Sequence, residues 1–329
     1  MRVLLWHVHG SWTTAFVQGG HDYVLPVTPD RDDDGLGRAR TWDWPASVRE
    51  VPPERLPAED IDVVVLQRPH EVDLAERWLG RRPGRDVPAV YLEHNTPAGD
   101  VPDTRHPMAT QQGITVVHVT GFNELMWDCG PVPTTVIDHG IVDPGYRYTG
   151  ELPRAAAVVN DPVRRGRFVG ADLIVDLAGT TPVDLFGMRT DLLVADAGLD
   201  DADRLRSYDL SQAQLHPELA RRRVYVHTPR WTSLGLSLLE AMHLGMPVVA
   251  VASTEAYAAV PPSAGSLVTR RSDLRAAVRR LLDDPARARE AGHAARRHVL
   301  AHYALKPFLE AWNDLLTEVV QGAGTHRLR

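Results

Sequence analysis

The stretch Ser233-Leu-Gly-Leu-Ser-Leu-Leu-Glu-Ala-Met-His-Leu-Gly-Met-Pro-Val-Val-Ala250 decides the fold. It runs from a small-residue loop into an apolar helix, stops at Gly245-Met246-Pro247, and opens an apolar strand. Glu240 is the one carboxylate among residues that ought to be buried, and a buried carboxylate without a partner is costly. The loop before the helix offers unpaired backbone N–H groups and the positive end of a helix dipole, which suit an anion. A phosphate at the loop, with a hydroxyl-bearing group reaching Glu240, accounts for both features. The pattern outlines a nucleotide-sugar site.

Outward from that segment, short apolar runs at 3–6, 61–66, 89–92, 115–118 and 135–137 read as buried parallel strands. Helical segments lie between them, at 71–79 and 121–128. A second set of strands is expected at 155–159, 183–186, 223–227, 248–251 and 266–268, with helices at 237–244, 273–282, 286–302 and 305–320. Strands alternating with helices imply right-handed crossovers and parallel sheets. Residues 26–57, rich in Asp and Pro, read as irregular with at most a short strand. The expected architecture is two α/β domains joined near residues 141–153, with bounds of 1–147 and 148–305. An amphipathic C-terminal helix over 306–329 is a candidate to pack across their junction.

Composition limits the function classes. The 329 residues suffice for two domains, and 43% hydrophobic with 24% charged residues is globular. A net charge of −7 argues against general nucleic-acid binding. Cys129 is the single cysteine, which excludes an internal disulfide framework or a multi-cysteine zinc site. The N-terminal apolar run is too short for a signal peptide and is interrupted by His7 and His9, and no run reaches the length of a membrane span. A cytoplasmic location is expected. Oligomeric state cannot be read from the chain.

Candidate chemistry gathers at strand ends. Trp6-His-Val-His-Gly10 has no Gly-x-Gly-x-x-Gly, which leaves a nicotinamide dehydrogenase little support. Gly10 either lets the backbone approach a ligand or makes a tight turn. Tyr91-Leu-Glu-His94-Asn-Thr-Pro97 places polar groups at the carboxyl end of a strand, where parallel sheets bind ligands, and the site reading of His94 is preferred to a turn cap. The segment 103–107 reads as a solvated loop, and His118 and Asn123 as cleft-lining or helix-capping residues. Arg164, Arg165 and Arg167 directly follow a strand and suit phosphate, whereas Arg221–Arg223 precede one and read as surface. In 228–236, Arg230 adds charge, and Ser233, Leu234, Gly235 and Leu236 add backbone donors. No metal motif is found: Asp32-Asp33-Asp34 reads as a solvated patch, and no histidines have zinc-protease spacing.

Residues 224–251 resemble the donor segment of family-4 retaining glycosyltransferases, which have the GT-B fold of two facing Rossmann-like domains with a cleft between them. The match rests on Gly235, Leu236, Leu239, Glu240, Ala241, Met242, Gly245, Pro247, Val248 and Val249. Thr135-Val-Ile-Asp-His139-Gly-Ile-Val-Asp143 is similar to the family's domain-ending Val-Ile-x-Asn-Gly-Val-Asp, with His139 in place of Asn. The resemblance implies that Glu240 holds the ribose, that His94 lies close to the transferred sugar, and that Arg164 or Arg165 neutralises the diphosphate. The family's first glutamate, eight residues before Glu240, is replaced by Thr232, which opens the sugar half of the site.

The expectation is a metal-independent, retaining transfer from a nucleoside diphosphate sugar to an unidentified acceptor, with no cofactor and no catalytic base from the protein. Catalytic candidates are His94, Arg164 and Arg165. Donor-binding candidates are Gly10, Arg167, Arg230, Thr232, Ser233, Leu234, Gly235, Leu236 and Glu240. Thr232 motivates an alternative, a non-catalytic nucleotide-binding or partner-assembly protein of the same fold. A sugar-nucleotide epimerase is a third reading without a specific feature in its favour.

Overall fold

The computed structural model describes all residues except 200, 202 and 327–329, with side chains described as far as residue 323. The chain divides into two compact units. The first contains Met1–Val142 and the C-terminal helix from Leu305; the second is Asp143–Ala304.

The first unit is built on seven strands: β1 (Arg2–Leu5), β2 (Asp22–Pro26), β3 (Val48–Val51), β4 (Val63–Leu66), β5 (Ala89–Glu93), β6 (Ile114–His118) and β7 (Thr134–Val136). All pair in parallel, in the order β3-β2-β1-β4-β5-β6-β7. Helices α1 (Gly10–Phe16), α2 (Glu71–Leu79) and α3 (Gly121–Met126) follow β1, β4 and β6. The fully buried Val63-Val-Val-Leu66 run is what a central strand covered on both faces requires.

The second unit holds six parallel strands: β8 (Leu152–Val158), β9 (Val183–Phe186), β10 (Leu205–Tyr208), β11 (Arg222–His227), β12 (Val248–Val251) and β13 (Gly265–Val268). Their order is β10-β9-β8-β11-β12-β13. Its helices are α4 (Pro162–Arg165), α5 (Ala171–Ala178), α6 (Thr190–Asp196), α7 (Gln212–Leu219), α8 (Leu236–His243), α9 (Ala256–Ala259), α10 (Arg271–Asp283) and α11 (Pro285–His302). The last helix, α12 (Leu305–His326), packs in the first unit, where buried Trp312 meets Trp12 and Phe16 at ring separations of 5.5 and 5.1 Å.

Three strands escape the sequence reading. β3 and β10 lie at sheet edges, where one face stays wet and no continuous apolar run is needed. β2 has only three apolar residues between Asp22 and Pro26. Residues 26–57 carry the last residue of β2 and one short strand, β3, within the limit of a short strand expected there. No helix among the described residues is long and apolar enough to cross a membrane.

Each sheet reverses its winding direction once, between β1 and β4 and between β8 and β11. The loops leaving those strands form the crevice where doubly wound sheets bind ligands. Gly10 follows β1, Arg164–Arg167 follow β8, and 228–236 follow β11.

Candidate functional site

In the second unit, the loops after β8 and β11 are stitched together. Arg230 N donates to Phe168 O at 2.9 Å, and Thr228 Oγ1 to Val169 O at 2.8 Å. The stitching brings the segment of Arg164, Arg165 and Arg167 beside the loop of Thr232, Ser233 and Leu234. Gly235 is the N-cap of α8 and supplies no side-chain cap to its first-turn N–H groups. A Cβ at Gly235 would stand 2.4 Å from Cε1 of His227, so the close imidazole already requires glycine there. Burial pushes His227 down to about 4, leaving that ring neutral. Leu236 opens α8, and Gly245, at φ +87°, ends it in the left-handed conformation of a helix C′ residue.

The arginines differ in what already holds them. Arg230 makes a bidentate pair with Asp172 at 2.7 and 2.8 Å, and Arg167 and Arg271 reach the same carboxylate at 3.1 and 2.9 Å. These cations, Arg230 foremost, hold the Asp172 carboxyl below its usual range. Arg164 is exposed and paired with Asp161. Arg165 is half-buried and has no ion pair or guanidinium hydrogen bond among the described residues. Burial first, then Arg164, lower its pKa. A partly desolvated guanidinium beside another cation is the kind that an anion satisfies.

Glu240 is buried on α8, with 9% of its side chain exposed. It faces α7: Gln212 Nε2 and His216 Nε2 each lie 3.4 Å from Glu240 Oε2. Sequence reasoning anticipated a partner for this carboxylate and missed these two. Its reading of Arg221–Arg223 as surface also needs correction. Arg222 is buried, 2.7 Å from Asp184 Oδ2 and 2.8 Å from Glu218 Oε2, with its guanidinium over the rings of Phe186 and Tyr208. Arg223 Nη1 donates to Leu282 O at 2.6 Å, and Arg221 pairs with Glu151 and Glu218 at the surface. A strand-opening arginine can be buried wherever a carboxylate within reach awaits it, and Asp184 of β9, two strands across the sheet, is that residue.

The first unit carries a separate cluster around His94. Gln67 Nε2 donates to Trp6 O at 2.7 Å, which turns Gln67 Oε1 toward His94 Nε2 at 3.0 Å. The proton therefore sits on Nε2, and Nδ1 is the acceptor of a neutral ring. Burial, with His9 and His139 nearby, lowers the His94 pKa well below 6.5, and the His9 ring lies 4.0 Å away. His139 is buried and pushed down to about 3, with no partner for Nδ1 among the described residues. Gly10 opens α1 within contact distance of the Trp42 indole.

Beneath His94 lies a network the sequence did not reveal. Glu93 Oε1 accepts from Asn95 N at 2.6 Å, and Glu93 Oε2 from His106 Nε2 at 2.9 Å. His106 is buried, so this end of 103–107 is not the solvated loop expected. Thr120 caps α3 by accepting from Asn123 N, while Asn123 Nδ2 and Trp127 Nε1 both donate to Asn95 O. His118 is buried against Cys129 and pushed down to about 4. His118 and Asn123 thus brace the loop. Asp34 is also engaged, with Arg68 at 3.1 Å and His70 at 2.8 Å.

Residues 207–298 match the family model described as glycosyl transferases group 1. The solved structures agree on the fold. Sucrose-phosphate synthase from Thermosynechococcus elongatus superposes with a TM-score of 0.73 at 15% identity, covering 98% of this chain and 100% of that one. The chain has the GT-B fold. Anabaena HepE in complex with UDP and glucose gives 0.72 at 13% identity, covering 96% and 99% of the two chains. A glycosyltransferase from Rickettsia africae gives 0.65 at 11% identity, over 97% and 98%. No curated protein matches by sequence. The matched segment takes in α7, the loop after β11 and α8, so it contains Gln212, His216, Arg230 and Glu240.

Proposed function

We propose that this glycosyltransferase moves a sugar from a nucleoside diphosphate donor to an acceptor hydroxyl, with retention of anomeric configuration and without a metal. The observation that supports the reading is the second unit's switch point, where the loops after β8 and β11 are stitched together, the half-buried Arg165 follows β8, and the loop after β11 leads into the uncapped start of α8, the helix that carries buried Glu240. The diphosphate lies against the first-turn amides of α8 and against Arg165, with Arg164 beside it. Ser233, Leu234, Gly235 and Leu236 frame it, and Glu240 accepts from ribose hydroxyls. Arg167 and Arg230, tied to Asp172, shape the loop and add positive potential. Of the known relatives in fold, HepE binds UDP and UDP-glucose.

In the transfer, the bond from the sugar's anomeric carbon to the diphosphate oxygen breaks. The acceptor oxygen bonds to that carbon from the same face, and its proton passes to the departing phosphate. Arginine and backbone N–H groups stabilise the charge that builds on the leaving group. On the first unit, His94 Nδ1 is suited to accept from a sugar hydroxyl because the ring is held neutral. Gly10 keeps the neighbouring turn close. Thr232, shorter and uncharged, leaves room where the family has a carboxylate.

The test is a transfer assay with a panel of α-configured nucleoside diphosphate sugars in EDTA, with the product anomer assigned by NMR. An α-linked product is expected, and Glu240→Gln should cut donor-dependent turnover at least about tenfold, the size of a lost charge-assisted hydrogen bond. Donor binding and turnover both unchanged in folded Glu240→Gln would overturn the assignment. Donor binding without turnover across the panel would favour the non-catalytic reading that Thr232 suggests.

A further inference from the structure

Glu240 Oε2, Gln212 Nε2 and His216 Nε2 form a small triangle. Its sides are 2.8 Å between Gln212 and His216, and 3.4 Å from each to the carboxylate oxygen. Gln212 and His216 lie four apart on α7, so they share one face of that helix. Gln212 Nε2 carries two N–H groups, one directed at the imidazole and one at the carboxylate. His216 Nε2 is then an acceptor. The three groups thus present one donor flanked by two acceptors, and none is fully enclosed: Gln212 is half-buried, and 14% of the His216 side chain is exposed.

The placement is built rather than incidental. Two residues beyond His216, Glu218 binds Arg222 through its carboxylate at 2.8 Å and its backbone oxygen at 2.6 Å. Arg222 is in turn locked to buried Asp184 at 2.7 Å. The other end of α7 is fixed by a capping box between Ser211 and Gln214. A helix held at both ends keeps the faces of Gln212 and His216 turned to Glu240.

We propose that Gln212 and His216 are specificity-determining residues that complete a seat for a vicinal diol, selecting ribonucleotide over 2′-deoxyribonucleotide donors. The inference rests on the reading of Glu240 as the ribose-binding carboxylate. Each ribose hydroxyl can donate one hydrogen and accept another. Glu240 alone offers only acceptors, so it cannot satisfy the oxygen lone pairs of both hydroxyls. On binding, the two hydroxyl hydrogens take the place of Gln212 on Glu240 and His216, and the N–H groups so released from Gln212 supply the missing donors to the hydroxyl oxygens. Loss of one hydroxyl leaves seat groups unpaired in a partly desolvated place, which is how polar sites discriminate most strongly.

Calorimetric titration of the full chain with UDP, GDP and ADP, and with the 2′-deoxy form of whichever binds, tests the proposal. The wild-type chain is expected to prefer the ribonucleotide about tenfold or more. His216→Phe, checked for folding by its melting curve, should shrink that ratio to about threefold or less, and His216→Gln, whose amide oxygen can accept near the same place, should restore much of it. Gln212→Leu, on the more exposed first turn of α7, provides the same test should His216→Phe not fold. A ratio unchanged in the folded variants, while Glu240→Gln abolishes it, overturns this inference and leaves the nucleotide reading standing. Failure of all three diphosphates to bind the wild-type chain, or a binding unaffected by Glu240→Gln, overturns both.

Discussion

His118, His139 and His227 show what burial does to a single residue in this chain. They are pushed to about 4, about 3 and about 4, against an ordinary value of 6.5. The folded state therefore holds neutral rings that the unfolded chain protonates as pH drops. Their contribution to stability is fully present above 6.5 and is lost as pH falls toward the folded values. Denaturant unfolding at pH 7, 6 and 5 should give a free energy that declines with acidification, with an uptake approaching about one proton for each of these rings and one for His94. His227→Gln should remove about one of these protons. An unfolding free energy that stays flat across this range would contradict the burial assigned to these rings.

Residue identity was legible where a side chain is unusual for its surroundings. Glu240 stands out because its neighbours are apolar, and Arg165 because its arginine run follows a strand. Glu93 and His106 were not legible as a pair, since they lie 13 positions apart with no periodicity linking the two. The same holds for Arg222, whose burial depends on Asp184, 38 residues away.

At the scale of elements, long apolar runs with clear stops were read correctly, as in α8 with Gly245 behind it. Helix α7 was missed. Its Pro217 sits inside the helix, and its sequence Gln-Ala-Gln-Leu-His-Pro-Glu-Leu has a faint apolar stripe. The local signal was present in Ser211-x-x-Gln214, a capping box. Tertiary contacts secure what propensity does not, because Glu218, Arg222 and Asp184 anchor α7 to β11 and β9. Removing one member of a buried ion-paired set leaves an uncompensated charge, so Arg222→Ala is expected to cost about 3 kcal/mol or more. Equilibrium unfolding in urea measures this, and a loss below about 1 kcal/mol would mean that the network is dispensable.

For the whole molecule, the parallel sheets and the division into α/β units follow from strand runs that the sequence displays openly. The strand order did not, and the switch points on which the candidate residues lie emerge only from the order of pairing. The sugar half of the site was the least legible part, because Thr232 departs from the pattern and His139 replaces the expected Asn. The central claim is that the second unit binds a nucleoside diphosphate at its switch point. A crystal structure of the chain soaked with UDP-glucose, GDP-glucose or ADP-glucose tests it most directly. The account predicts a diphosphate against residues 233–236 and Arg165, with the ribose hydroxyls on Glu240. A nucleotide bound elsewhere on the chain, with Glu240 still facing Gln212 and His216, would contradict it.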